Sequence, residues 1–402
     1  MKFSVLLPTR NRLEYLRYAV ASVLKQDYQN WEIIISDNFS DEDIKGYIDS
    51  LNDPRIKFFR TSSFITVTDN WNNALEKSTG DYVIMLGDDD CLLSGYFTTC
   101  LKLLHDYKSP DVLYSSAYNY VYPNVINGAP NGYTVTWENA CFLSGKKSPY
   151  IIDRTEAIQY VRKTLDFIMM FNFNMQFSLV SRLFINKMRK YGSFYQSPYP
   201  DYYATTAMIL NAERILAVPE RLVVVGTTPK SFGYYYFNNK EELGMEMLNN
   251  IPDHQLLQRV EKYLLPGTNM NTSWLVAMEA INVNFGKEYK LEVNYKKYRF
   301  LQILHVYKRY ACREGVGVRH LFNLIKKTKW REWMFSILPI HFIACIIRFH
   351  PEKSFGKIWA LKKLYSFSHP SHGPQVYLKM PCSNILEVYE KDPRLVEKES
   401  KR

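Results

Sequence analysis

No run of 18 consecutive apolar residues occurs in the 402-residue chain, so composition alone predicts no spanning helix. The nearest approach, Met334 to Ile347, is 14 residues long and contains Pro339 and His341, which suits a segment lying on a membrane better than one crossing it. The opening residues MKFSVLLPTRNR have a short apolar core and no small-residue cleavage site, and do not read as a signal peptide. Cysteine is scarce. Cys91, Cys100, Cys141, Cys312, Cys345 and Cys382 form no CxxC pair, which argues against a zinc cluster or a disulfide framework and makes a reducing cytosol the expected compartment. Neither GxGxxG nor GxxxxGK[ST] is present, so the glycine-rich phosphate cradles are excluded.

The composition, 47% hydrophobic and 23% charged, is that of a folded protein with enough apolar surface to offset the entropy of ordering. Its length predicts two or three domains. The net charge of +11 is localised: Lys287 to Lys363 holds 18 basic and 5 acidic residues, so the remainder is slightly acidic. In this region cations alternate with aromatics, as in Lys326, Lys327, Lys329, Trp330, Arg331 and Trp333. That pattern fits either a solvated helical face or an anionic membrane surface. No nucleic-acid motif accompanies it, so no nucleic-acid partner is expected.

Along the first ninety residues, short β-rich runs alternate with helical patterns. Strands are predicted at Phe3 to Leu7, Trp31 to Ser36, Ile56 to Phe59 and Tyr82 to Leu86, and helices at Leu13 to Leu24, Asp41 to Leu51 and Val67 to Lys77. The strand runs are continuously apolar, as parallel strands covered on both faces require. A further strand is expected at Val112 to Ser115, irregular or antiparallel excursions from Tyr118 to Pro149, and helices at Thr155 to Leu165 and around Ser178 to Tyr191. Gly226-Thr227-Thr228-Pro229 then breaks the pattern, which places a domain boundary near residue 230, before a mainly helical remainder.

In an open α/β sheet, ligands sit beyond the carboxyl ends of the strands. Three such ends carry polar residues: Pro8, Thr9, Arg10 and Asn11 after the first strand; Asp37, Asn38 and Asp41 after the second; Asp88, Asp89 and Asp90 after the fourth. Adjacent carboxylates raise one another's pKa unless a cation compensates, and hard oxygen ligands suit Mg²⁺ or Mn²⁺. Asp88 and Asp90 are the pair expected to face a ligand, with Asp89 turned away or supporting the turn.

These pieces, VLLPTRNR, Asp37 with Asn38 and Asp41, and DNWNNALEKSTGDYVIMLGDDD from Asp69 to Asp90, resemble an inverting glycosyltransferase of family 2, of the kind that builds bacterial cell-surface polysaccharides. The resemblance covers residues 1 to about 230. It implies an α/β fold of the GT-A class, Rossmann-like with a mostly parallel central sheet, over residues 1–230, followed by a basic, mainly helical region over 231–402. It implies a nucleotide diphosphate sugar donor, most often of uridine, bound by Pro8, Thr9, Arg10, Asp37, Asn38, Asn70, Asp88 and Asp89, with Mn²⁺ or Mg²⁺ held at Asp90. The family's acidic residue before a helix matches Asp201, with Pro200 replacing the usual Glu; Asp201 is the expected catalytic base, with Glu213 and Glu220 as alternatives. The acceptor would be a hydroxyl of a saccharide or lipid-linked glycan. The expected location is cytoplasmic, peripheral on the inner face of the membrane. A nucleotidyltransferase and a non-catalytic saccharide-binding protein are the competing readings. Gly226 to Glu241 is expected to form a mobile flap or an aromatic linker. His341 with Cys345, and Met169 to Phe177, read as core.

Overall fold

The computed structural model describes residues 1–126, 131–238, 240–249, 254–349 and 375–400. The expected βαβ rhythm is present from the start. Strands β1 (Phe3–Thr9), β2 (Trp31–Asp37), β3 (Ile56–Arg60) and β4 (Tyr82–Met85) alternate with helices α1 (Leu13–Leu24), α2 (Ile44–Leu51) and α3 (Val67–Glu76). Every residue of β2 and β4 is buried, and all but one of β1, because helices cover both faces. The helix starts follow capping chemistry: Asp43 accepts from Gly46 N at 2.8 Å before α2, and Thr66 Oγ1 accepts from Asp69 N at 3.0 Å before α3.

These four strands are parallel, in the order β4-β1-β2-β3. Their register aligns Thr9 with Asp37 and Asp37 with Arg60, so the polar residues after β1, β2 and β4 share one rim. A short β5 (Cys91–Leu92) and α4 (Tyr96–Asp106) precede β6 (Val112–Val121), which pairs antiparallel with β7 (Tyr133–Trp137). The segment from Tyr118 to Pro149 thus contributes an antiparallel excursion; its residues 127–130 lie outside the described set. After β8 (Tyr150–Ile151) and α5 (Arg154–Leu165) comes β9 (Ser178–Ser181), where a helix was expected. This strand wedges antiparallel between β4 and β6, and helix α6 begins only at Arg182, capped by Ser181 Oγ.

Helix α7 (Pro200–Asn211) leads into β10 (Ile215–Thr227), which runs parallel to β6. Beyond β10 the described chain is helical: α8 (Phe232–Phe237), α9 (Glu241–Leu248), α10 (His254–Val260), α11 (Asn269–Tyr289), α12 (Tyr295–Ala311) and α13 (Val318–Lys326), then a helix over Trp330–Phe349. That last helix is 20 residues long and passes a length-and-hydropathy test for crossing a membrane. The 14-residue apolar run was extended by one turn at its start, because Trp330 to Trp333 continue the helical path. Chain 375–400 then returns to the sheet: β11 (Tyr377–Leu378) pairs with β7, and the Ile385–Lys391 helix packs where Tyr389 Oη donates to Lys25 O at 3.1 Å. His369 and His372, read as turn residues, lie outside the described residues, as do the lysines between residues 350 and 363.

Candidate active site

A cavity of about 760 Å³ opens at the carboxyl rim of the parallel strands, and Arg10, Arg12, Asp88, Asp89, Asp90 and Asp201 all reach its wall. Its remaining lining includes several aromatics, among them Trp71, Trp137, Phe173 and Tyr202. This size and mix suit a polar ligand carrying rings with apolar faces.

The acidic triplet follows β4. Thr9 Oγ1 donates to Asp88 Oδ2 at 2.7 Å, and Arg12 Nη1 pairs with Asp88 Oδ1 at 2.7 Å. The other guanidinium nitrogen of Arg12 reaches Asp89 Oδ2 at 2.5 Å, which also accepts from the Ser231 hydroxyl. Asp90 faces the opposite way: Oδ1 accepts from Gly226 N at 2.9 Å, and Oδ2 from Gly87 N at 3.0 Å and Gln176 Nε2 at 2.6 Å. Gly226 is obligatory here, because a Cβ would lie 1.9 Å from Asp89 O.

Burial, then the neighbouring charge of Asp89, pushes the Asp90 carboxyl up; burial also raises Asp88, against the pull of Arg12. Burial opposes the charge on Arg12, yet Asp88, Asp89 and Asp90 outweigh it and hold the guanidinium charged. Three carboxylates around one close cation leave an excess of negative charge that a divalent ion would balance. The donor set fits such an ion. Asp89 Oδ1 accepts no hydrogen bond among the described residues, whereas both Asp90 oxygens are engaged. Asp89, expected from sequence to turn away or support the turn, lines the cavity and offers the open oxygen.

The residues expected on the nucleoside side are placed unevenly. Pro8, Thr9, Arg10, Asn38 and Asn70 line the cavity, and the Arg10 guanidinium stacks 3.7 Å over Phe64. Asp37 stands behind the wall: it is fully buried, Oδ1 accepts from Ser40 N at 3.0 Å, and Oδ2 faces Arg60 at 3.5 Å. The amide of Asn38 clamps Ile65 N and O, and that of Asn70 clamps Ser36, so both shape the wall through the backbone they hold.

Asp201 enters from the far side, in the first turn of α7 behind Pro200 at its start. Its Oδ1 accepts from Tyr202 N at 3.0 Å, and burial pushes its carboxyl up to about 7. Of the two alternatives, Glu213 is exposed and paired with Lys187 at 2.5 Å, and Glu220 is exposed and faces Arg394 at 3.7 Å. Neither lines the cavity.

Residues 4–168 match the family described as Glycosyl transferase family 2. This segment is a family 2 glycosyltransferase domain. Its fold is the expected α/β GT-A class, with a parallel core and antiparallel strands at one side. The transferase domain is similar to GalNAc(5)-diNAcBac-PP-undecaprenol beta-1,3-glucosyltransferase of Campylobacter jejuni, 39% identical over 104 residues, covering 25% of this chain and 34% of that protein. It is also similar to UDP-Glc:alpha-D-GlcNAc-diphosphoundecaprenol beta-1,3-glucosyltransferase WfgD of Escherichia coli, 29% identical over 87 residues, covering 22% of this chain and 34% of that protein. The matched segments thus span about a third of these relatives. Among solved structures, S. aureus TarS 1-349 in complex with UDP-GlcNAc aligns with a TM-score of 0.46 at 14% identity, over 91% of each chain.

Sequence reasoning missed several groups of the transferase site. Arg12 was visible within PTRNR, but its position at the helix start hid that Asn11, at φ 52, turns the chain so that Arg10 and Arg12 both face inward. Gln176 lies on a single 3-10 turn before β9, inside the Met169 to Phe177 stretch read as core. Thr228 and Ser231 were in the expected flap, and only their hydroxyls' approach to Asp89 reveals them. Lys230, in the same segment, donates to Asn11 O at 2.7 Å.

Proposed function

We propose that this chain transfers a sugar, with inversion, from a nucleoside diphosphate sugar to a hydroxyl of a saccharide or lipid-linked glycan. The observation that carries the reading is that the acidic triplet and Asp201 line one cavity. Both relatives' names specify an undecaprenol-linked acceptor and one specifies UDP-Glc, which supports a uridine donor and a lipid-linked acceptor here.

Asp201 takes the proton from the acceptor hydroxyl as that oxygen attacks the anomeric carbon. A base whose pKa lies near 7 is ionised at working pH yet still basic enough to accept a proton, and such catalysis contributes about 10² to 10⁴ in rate. Arg10 stacks beside the nucleoside, and Thr9 and Arg12 hold Asp88 and Asp89 in place. Asp89, supported by Asp90, would hold Mg²⁺ or Mn²⁺. Such an ion, when bound, stabilises charge growing on the leaving diphosphate by several kcal/mol. Trp137, Phe173 and Tyr202 line the cavity with aromatic surface, which suits a sugar and limits water at the reacting centre.

The test is to incubate the purified chain with manganese and a panel of uridine diphosphate sugars, with and without a polyprenyl diphosphate saccharide. Acceptor-dependent release of nucleoside diphosphate, lost in Asp201→Asn, is the expected result. Release from no donor in the panel, or release unaffected by Asp201→Asn, overturns the assignment.

A further inference from the structure

Among the described residues 17 large hydrophobic side chains are exposed, and nine of them fall between Val318 and Phe349. That concentration marks a surface rather than scattered exposure. Its centre is aromatic: Phe335 is 73% exposed, Phe342 69%, Trp330 65% and Phe322 57%. Around them stand the exposed cations Arg319, Lys326, Lys327, Lys329 and Arg331. Lys326 Nζ lies 4.4 Å over the Phe322 ring and the Arg331 guanidinium 5.5 Å over Trp330. Across Val318 to Phe349 the only acidic residue is Glu332, and it is engaged by Arg299 at 2.5 Å.

The Trp330–Phe349 helix is apolar on two opposite strips. Ile337, Ile340, Ala344 and Ile347 are buried in a cluster with Ile303, Leu304 and Tyr307 of α12. Phe335, Leu338 and Phe342, at helical spacing on the other side, are exposed. The helix is fastened at both ends. Arg299 of α12 binds Glu332 through two nitrogens and also donates to Lys327 O, and Arg348 Nη1 donates to Tyr310 O at 2.5 Å. Crossing a bilayer would require stripping the inner strip from α12 and breaking these anchors.

We infer that this face is a monotopic membrane-docking surface, on which the outer strip of the Trp330–Phe349 helix and the Phe322 side of α13 enter an anionic lipid interface while the lysine and arginine rim meets the headgroups. Amphipathic segments with aromatic and aliphatic side chains ringed by cations bind bilayers in this orientation, in the plane of the surface. A second copy of the chain does not fit, because both partners would bring the same basic rim into contact. A nucleic acid does not fit either, since the middle of the face is hydrocarbon rather than hydrogen-bond donors.

The experiment is co-sedimentation of the full chain with phosphatidylcholine vesicles, with or without phosphatidylglycerol, over a range of salt. It needs neither donor nor acceptor and is independent of the transferase reading. The chain should pellet with the anionic vesicles and be released by salt. Charge reversal in Lys326→Glu with Lys327→Glu and Lys329→Glu should weaken binding about a hundredfold or more. Phe335→Ser with Leu338→Ser and Phe342→Ser should weaken it about tenfold or more even at low salt. All six positions are exposed, and an unchanged melting temperature verifies that each variant folds. Failure of the wild type to pellet, or equal pelleting of wild type and both variants, overturns the inference. So does retention on membranes after a high-salt, alkaline wash, which would indicate a spanning helix. Conversion of a lipid-free dimer to a monomer by the serine variant, without vesicle binding by the wild type, would assign the face to self-association instead.

Discussion

Asp201 carries two opposed requirements. Burial lifts its carboxyl from the ordinary 3.8 to about 7, so the base becomes competent only as pH rises through that value. In kcat/KM measured against pH, the wild type should therefore show a rising limb near pH 7, and Asp201→Asn should lose about 10² to 10⁴ of activity and that limb together. The stability sign runs the other way. Between about 4 and 7 the folded state keeps a proton that the unfolded chain has released, so this group's contribution to stability is lost as pH rises through the folded pKa. Asp201→Asn should consequently melt higher than the wild type at pH 8 in calorimetry, and a lower melt would show that the carboxylate is not strained by burial. At the triplet, the open oxygen of Asp89 predicts that Asp89→Asn weakens manganese affinity more than Asp90→Asn does. Titration of the two variants with the metal alone ranks them, and the reverse order would return the ligand role to Asp90. The residues that carry charge on the rim were legible because three carboxylates in a row after a buried strand demand a partner. Their orientation was not, since it depends on Gly226 and Gln176, which approach from strands and turns far along the chain.

At the scale of elements, β1 to β4 and α1 to α3 were readable almost residue by residue, because parallel strands are uniformly apolar and the intervening helices are capped and amphipathic. β9 was not. Four residues, Ser178 to Ser181, are too few to display a period, and the adjoining helix α6 lent them its pattern. The two-residue β5 is equally short of signal: Leu92 belongs to it, and α4 begins only after Gly95 at φ 70. The parallel strands are also stitched by Glu32, a buried side chain that meets Lys2 and Lys57 at 2.7 Å each and accepts from Ser4 Oγ at 2.8 Å. Burial alone would raise its carboxyl, but the hydrogen bonds from Lys2 and Lys57 hold it well below the ordinary carboxylate range. Removing it as Glu32→Ala leaves the Ser4 hydroxyl and Thr79 N without this acceptor while Lys2 and Lys57 can turn to solvent, and should cost about 1 to 3 kcal/mol in denaturant unfolding. A loss near zero would mean that water replaces the carboxylate without penalty.

At the scale of the molecule, the region beyond residue 230 was expected to be mainly helical, and so it is among the described residues. Less visible was the return of chain 375–400 to the sheet, since two-residue β11 has no signature of its own. The return is tied by polar contacts to buried groups. Tyr120 Oη donates to Cys382 O at 2.7 Å, and Glu397 accepts from Tyr118 Oη at 2.8 Å and pairs with Arg221 at 3.1 Å. Gln375 and Tyr377 also complete the cavity wall. Deleting residues 375–402 should therefore lower the melting temperature by several degrees or more, as loss of a packed element does, and reduce transfer even where the truncated chain remains soluble. An unchanged melt would show that the returning segment only decorates the sheet.

The same return has a temporal meaning. Tyr120 meets its partner at Cys382, 262 residues later, so during synthesis the tyrosine-rich side of β6 leaves the ribosome long before its cover is made. The nascent polypeptide must carry that uncovered face until the segment around Cys382 has been made, so closure of the cavity wall comes late in folding.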